Sequence, residues 1–179
     1  VLSQQRVREG KATAVVVNSG CANACVGERG LVDAAEMARL AAKGLGVSPE
    51  DVLVASTGVI GVPLPMKRIE GAMRQIVLSG EGGCELARAM MTTDTVPKET
   101  AVAVRVDENE FTIGGAAKGS GMIHPDLATL LCFLTTDAAI DAEFLNISLR
   151  RAVDVSFNMV SIDGDTSPND MAVSYTHLT

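Results

Sequence analysis

The chain has 179 residues, 47% of them hydrophobic, with 22 acidic against 15 basic side chains and a formal charge of −7. That length supports a core, and that hydrophobicity excludes disorder of the low-hydrophobicity, high-charge kind. The acidic balance argues against a general nucleic-acid binder, and no apolar run approaches the roughly 18 residues of a membrane span.

The first predicted element is a buried strand over residues 13–18, a β-branched Thr-Ala-Val-Val-Val-Asn run. A Gly/Cys/Asn-rich loop follows over 19–30. Next comes an amphipathic helix with Leu31, Ala34, Ala35, Ala38, Ala41, Ala42 and Leu45 on one face and Asp33, Glu36, Arg39 and Lys43 opposite. Gly44 and Gly46 stop it. Residues 51–56 read as a strand that runs into a turn, Thr57-Gly58-Val59-Ile60-Gly61. Pro65 then opens a helix whose face is Met66, Ile69, Met73, Ile76 and Val77. These methionines read as core packing. After Gly80-Glu81-Gly82-Gly83 a shorter helix spans about 84–91.

Residues 100–106 alternate as a half-buried strand does, and Asp107-Glu108-Asn109-Glu110 turns it back into a partner over 111–115. A long Gly-rich loop is expected over 116–126, a buried strand over 127–134, an amphipathic helix over 141–154, a strand over 158–162 and an acidic loop over 163–170. Met171-Ala172-Val173 reads as the start of a strand, and Ser174–Thr179 as a polar, non-native tail. The fold class is α/β, with sheet layers covered by helices.

Cofactor and metal signals are weak. The four cysteines do not make a disulfide scaffold, and Cys21, Cys25, His124 and His177 fit no zinc spacing. Reduced thiols and a cytoplasmic setting are expected, with no signal peptide. Four Phe, one Tyr and no Trp leave little for base stacking.

Four segments carry polar groups suited to chemistry. In Lys118-Gly119-Ser120-Gly121-Met122-Ile123-His124-Pro125-Asp126-Leu127-Ala128-Thr129, a Gly-rich loop feeds an apolar stretch with a hydroxyl at the junction. Taken alone, Thr129 reads more simply as a β-branched strand residue. Gly119-Ser120-Gly121 lacks the spacing of a phosphate loop. Ser56-Thr57-Gly58 offers a hydroxyl and a backbone N–H that could stabilise an oxyanion, although a plain turn explains it alone. Met91-Thr92-Thr93-Asp94-Thr95 reads equally as helix capping or as a polar binding wall. The alternating aspartates of 163–170 hint at a hard cation such as Ca²⁺, but EF-hand spacing fails and Asx turns are the commoner meaning.

Together these segments resemble the ornithine acetyltransferase family, also called the arginine biosynthesis bifunctional protein. The resemblance rests on five motifs in one order. They are Asn18-Ser19-Gly20-Cys21-Ala22-Asn23-Ala24-Cys25, Ala55-Ser56-Thr57-Gly58-Val59-Ile60-Gly61 and Met91-Thr92-Thr93-Asp94. The others are Lys118-Gly119-Ser120-Gly121-Met122-Ile123 with Ala128-Thr129, and Asp163-Gly164-Asp165-Thr166-Ser167 with Asn169-Asp170.

The resemblance implies a self-cleaving, N-terminal-nucleophile-like acyltransferase cut between Ala128 and Thr129. Thr129 becomes the nucleophile, Thr57 and Gly58 the oxyanion hole, and Thr92, Lys118 and Thr129 substrate contacts. Residues 1–128 then belong to the N-terminal subunit and 129–173 open the C-terminal one, of a domain present here in part. The implied reaction moves acetyl from N-acetylornithine to glutamate, with acetyl-CoA a second donor for some members. No cofactor, metal, nucleic acid or membrane is implied, and the cleaved subunits pair as a heterotetramer. Rival readings are a self-cleaving amidohydrolase or aminopeptidase, an acidic Ca²⁺-binding module and an inactive truncated fragment.

Overall fold

In the computed structural model, which describes residues 1–124 and 130–176, the chain divides into two units, Val1–Gly80 and Glu81–Thr179. The first is built on two parallel strands. β1 (Ala14–Cys21) pairs with β2 (Val52–Val59) in a register running from Ala14 opposite Val52 to Cys21 opposite Val59. Both strands are longer than their β-branched runs. The Ser19-Gly20-Cys21 segment, expected in a loop, and Thr57-Gly58, expected in a turn, are strand residues paired with one another. The ladder carries them in although the intrinsic strand preference of Gly20 and Gly58 is low.

The outer edge of β2 is covered by α1 (Leu2–Arg6). Ser3 Oγ donates to the Val54 carbonyl and accepts from the Val54 N–H, both at 2.8 Å, and Arg6 donates to the Val52 carbonyl at 2.7 Å. A short helix thereby satisfies groups that an open strand edge would leave bare.

The crossover is α2 (Glu28–Leu45), closed by Gly46 in the left-handed conformation. Its buried stripe is Gly30, Asp33, Ala34, Met37, Ala38 and Ala42. The helix is where the periodicity puts it, but the stripe is rotated from the expected face. Leu31, Ala35 and Leu45 are exposed and Asp33, expected outside, is buried at its margin, 3.4 Å from Arg29. Small alanines let the helix lie close to the strands, and Met37 fills the remaining space with Cys21 and Leu64.

α3 (Met66–Met73) sends Met66, Ile69 and Met73 onto that cluster. It stops before Ile76 and Val77, which are exposed rather than part of its face.

The second unit opens with α4 (Gly83–Ala89). β3 (Lys98–Val106) and β4 (Asn109–Lys118) form a hairpin whose turn residues are Asp107, at φ 53°, and Glu108. β4 continues through Ala116, Ala117 and Lys118, which were expected in the Gly-rich loop. β5 (Leu131–Thr136) lies antiparallel to β4, so the buried strand expected from 127 begins at Leu131, with 127–129 outside the described residues.

α5 (Ala142–Asp154) starts at Asp141, whose carboxylate accepts from the N–H groups of Glu143 and Phe144 at 2.9 and 3.2 Å. β6 (Met171–Thr176) then returns parallel to β5, giving the order β3-β4-β5-β6. This strand includes Ser174, Tyr175 and Thr176 beside its apolar start.

The strand expected over 158–162 is not formed. A single 3-10 turn, Phe157–Met159, stands there, and Met159, Val160 and Ile162 are exposed. Among the described residues no strand pairs with this run, and without a ladder partner an apolar run does not become a strand. Among the described residues no helix is long and apolar enough to cross a membrane.

Candidate active site

The first unit presents Thr57 and Gly58 at the carboxyl end of β2. Ligands of open α/β sheets gather at such strand ends. Gly58 sits opposite Gly20, and both hold positive φ, +127° and +100°. A Cβ on Gly58 would lie 2.3 Å from the carbonyl carbon of Gly20 and 2.5 Å from the amide nitrogen of Cys21. No side chain fits there, so backbone approach, rather than turn formation, demands glycine. The Thr57 side chain is 1% exposed, held beside this contact on the preceding residue. Below it, the Cys21 thiol donates to the Val62 carbonyl at 2.9 Å and ties the end of β1 to the chain leaving β2.

The second unit gathers the other polar segments. Lys118 ends β4 opposite Leu131, which stands two residues after Thr129 in the sequence. Its side chain is 1% exposed. Burial pushes its ammonium pKa down, the Asp94 carboxylate opposes that, Lys98 reinforces it, and Asp170 opposes it. Asp94 lies at the centre of this network. Its side chain is fully buried and accepts from Lys98 Nζ at 2.6 Å, Gly119 N–H at 2.8 Å and Thr92 N–H at 3.3 Å. Burial raises the carboxyl pKa, but these hydrogen bonds outweigh it and hold the group below its ordinary value. Thr92 itself is exposed. A second link joins the same segments, Thr93 Oγ1 to Ser120 Oγ at 2.8 Å. Thr92 and Lys118 are therefore brought onto one hydrogen-bonded frame.

The acidic loop works by backbone capture. Asp163 accepts from Met122 N–H at 2.5 Å and Ile123 N–H at 2.9 Å, and Ile162 N–H donates to the Ile123 carbonyl. Its carboxyl is held below the usual range, chiefly by the Met122 bond. Asp163 also accepts from Asp165 N–H at 3.3 Å, the Asx turn expected of this loop. At the far end of the loop, Asp170 accepts from Leu130 N–H at 3.0 Å, and Met171 N–H donates to the Leu130 carbonyl. The loop thus grips the chain on both sides of residues 124–129. Among the described residues no group of three His, Cys, Asp or Glu side chains is placed to hold a metal ion.

Ala128 and Thr129 lie outside the described residues. Thr57 and Gly58 are placed by the first unit, Thr92 and Lys118 by the second. Sequence reasoning quoted Asp94 and Asp163 inside motifs but missed what they hold. The available signal was a carboxylate embedded among hydroxyls and glycines, a composition that local capping also produces.

Comparison with known proteins shows the family. The ArgJ family model matches residues 1–177. The arginine biosynthesis bifunctional protein ArgJ of Symbiobacterium thermophilum is 58% identical over 175 residues, covering 97% of this chain and 44% of that protein. The ArgJ of Dehalococcoides mccartyi is 57% identical over 157 residues, covering 88% of this chain and 39% of that protein. The chain thus spans less than half the length of these relatives.

Among solved structures, the ArgJ of Bacillus halodurans superposes with a TM-score of 0.66 at 45% identity, covering 70% of this chain and 67% of that one. The ornithine acetyltransferase of Mycobacterium tuberculosis, solved with ornithine, gives 0.64 at 39% identity over 71% of this chain and 69% of that one. With a family match across almost its whole length and an α/β fold like the solved members, the chain belongs to the ArgJ family.

Proposed function

We propose that the full-length protein is an acetyltransferase of arginine biosynthesis that moves an acetyl group from N-acetylornithine to glutamate through an acetyl-Thr129 ester. The observation that carries this reading is the Thr57–Gly58 pair at the end of β2, fixed by a close approach to Gly20 that tolerates no side chain. It stands in a chain of the ArgJ family.

The chemistry follows from the residue types. A threonine hydroxyl is hardly ionised at neutral pH and needs a base within reach. In maturation the Thr129 hydroxyl attacks the Ala128 carbonyl carbon, the peptide C–N bond breaks, and the nitrogen leaves as the Thr129 amine. Water then hydrolyses the Ala128 ester and regenerates the hydroxyl. The new α-amine, with a reference pKa of about 8, takes the hydroxyl proton in turnover.

Thr129 attacks the acetyl carbonyl of N-acetylornithine while the Thr57 hydroxyl and Gly58 N–H stabilise the oxyanion. The C–N bond breaks and ornithine leaves with the proton. Glutamate's amine then attacks the ester and departs as N-acetylglutamate, a ping-pong cycle. Lys118 pairs with the α-carboxylate of either amino acid, since a compact ammonium suits two acceptors of different shape. Acetyl-CoA is a second donor in this reading and no cofactor is required. The cleaved subunits assemble as a heterotetramer in the cytoplasm.

The test is mass spectrometry and N-terminal sequencing of active full-length protein. Two pieces are expected, the second beginning at Thr129, with an adduct of one acetyl group on that residue after incubation with N-acetylornithine. Thr129→Ala should give one uncut chain without transfer. An acetyl adduct on any other side chain of working enzyme would overturn the proposal.

A further inference from the structure

The 91–95 segment and the end of β4 are distant in sequence, yet they are joined twice, through Asp94 to Gly119 N–H and through Thr93 to Ser120. Asp94 is the stronger of the two joints. It is a fully buried side chain with three donors converging on it, one of them the Lys98 ammonium. A buried carboxylate of this kind persists only where its partners are fixed, and it fixes them in return. Its donors come from Thr92 itself and from the residue after Lys118. We propose that Asp94 is a positioning residue that sets the backbone carrying Thr92 and Lys118, so that their side chains meet the amino-acid substrate together.

This rests on the acetyltransferase reading for the roles of Thr92 and Lys118. In this proposal the Asp94 carboxylate is occupied by Lys98, Gly119 and Thr92 rather than by substrate. It acts through the N–H of Thr92 and of Gly119. Its charge also faces Lys118, with Asp170 a second acidic neighbour and Lys98 a basic one. Loss of the Asp94 charge weakens the hold on Lys98 and leaves Lys118 less well compensated. The geometry for capturing a substrate carboxylate then loosens, while the acyl chemistry at Thr129 is left intact.

The test uses full-length protein carrying Asp94→Asn, which keeps shape and one acceptor oxygen but removes the charge. KM for glutamate and for N-acetylornithine should rise about tenfold, with kcat within about threefold of the parent, the pattern of lost uniform binding. Lys118→Met should raise both KM values as well. The double variant should be worse than Lys118→Met only by the Thr92 share, and so fall well short of the product of the two single effects, because both changes act in part through Lys118. KM effects that simply multiply, or a fall confined to kcat, would overturn the proposal.

Should Asp94→Asn fail to fold, Lys98→Met releases the same carboxylate from its exposed side. A KM rise of about threefold is expected there, and an unchanged KM is the contrary result. Acetyl-Thr129 should still form in each variant. Its absence from the parent enzyme would count against the acetyltransferase reading, whereas its presence with unchanged KM in the variants would count against Asp94 alone.

Discussion

Gly20 and Gly58 face one another across the parallel β1–β2 pair, yet they tolerate a side chain very differently. A Cβ on Gly58 would stand 2.3 Å from the Gly20 carbonyl carbon, whereas one on Gly20 meets nothing within 4 Å. Both hold positive φ, so either substitution strains the backbone, by about 1–3 kcal/mol. Only Gly58→Ala adds a collision with main chain that cannot swing away. Gly58→Ala should lower the urea midpoint of unfolding well beyond Gly20→Ala and abolish acetyl transfer. Equal midpoints for the two variants would mean that the close approach does not constrain position 58.

Thr57→Val tests the hydroxyl one residue earlier. Valine matches threonine in shape, and the site is 1% exposed, so packing is largely kept while the donor is lost. Removing one oxyanion donor costs about 10²–10³ in kcat. The expected outcome is a fall of that order in kcat, with KM for N-acetylornithine little changed. A variant with weaker binding and near-normal kcat would make Thr57 a wall of the pocket instead.

How far the sequence could be read depended on whether a signal was local. The Asp141 cap and α5, the alanine-rich α2 and the hairpin at Asp107 are written in short-range pattern and all form, although the hairpin turn is only Asp107 and Glu108, with Asn109 and Glu110 already in the returning strand. The rotation of the α2 stripe was not legible, because burial of Asp33 and exposure of Leu31 depend on what packs there. Thr57-Gly58 looked like a turn because glycine usually marks one. Its place inside a strand is set by Gly20, which lies far away in sequence. The apolar 158–162 run failed as a strand for the opposite reason, since propensity alone supplies no partner. The site residues came from family resemblance, while Asp94 and Asp163 emerged as anchors only from hydrogen bonds across 25 and 41 residues.

Three of the four cysteines, Cys25, Cys84 and Cys132, should separate by reactivity. Cys25 is exposed. Cys84 is exposed too, but its thiol donates to Glu99 at 2.6 Å, and that bond raises its pKa. Cys132 is buried in β5, and burial pushes its thiol up to about 11. The thiolate is the reactive form. Iodoacetamide near neutral pH should therefore label Cys25 first, Cys84 more slowly, and Cys132 only on unfolding, as peptide mapping would reveal. Glu99→Gln should quicken Cys84 alone. Rapid labelling of Cys132 in folded protein would contradict its burial.

Acid stability should depend on Asp94 and Asp163, and the sign follows from linkage. Both carboxyls are held below their ordinary pKa in the folded chain, Asp94 by Lys98, Gly119 and Thr92 against the opposing effect of burial, Asp163 chiefly by Met122. A group with a depressed folded pKa stabilises the fold above its unfolded pKa of about 3.9, and that stabilisation disappears as pH falls through the lower folded value. Unfolding free energy measured by denaturant at a series of pH values should thus be insensitive to these groups above about pH 5 and decline below about pH 4. Asp94→Asn and Asp163→Asn should each flatten the decline while lowering the plateau at neutral pH. The double variant should flatten it further, because the two carboxylates hold separate N–H groups, Gly119 and Thr92 in one case and Met122 and Ile123 in the other. An acid limb of unchanged slope in both single variants would show that neither carboxylate is more tightly held in the folded protein than in the unfolded chain.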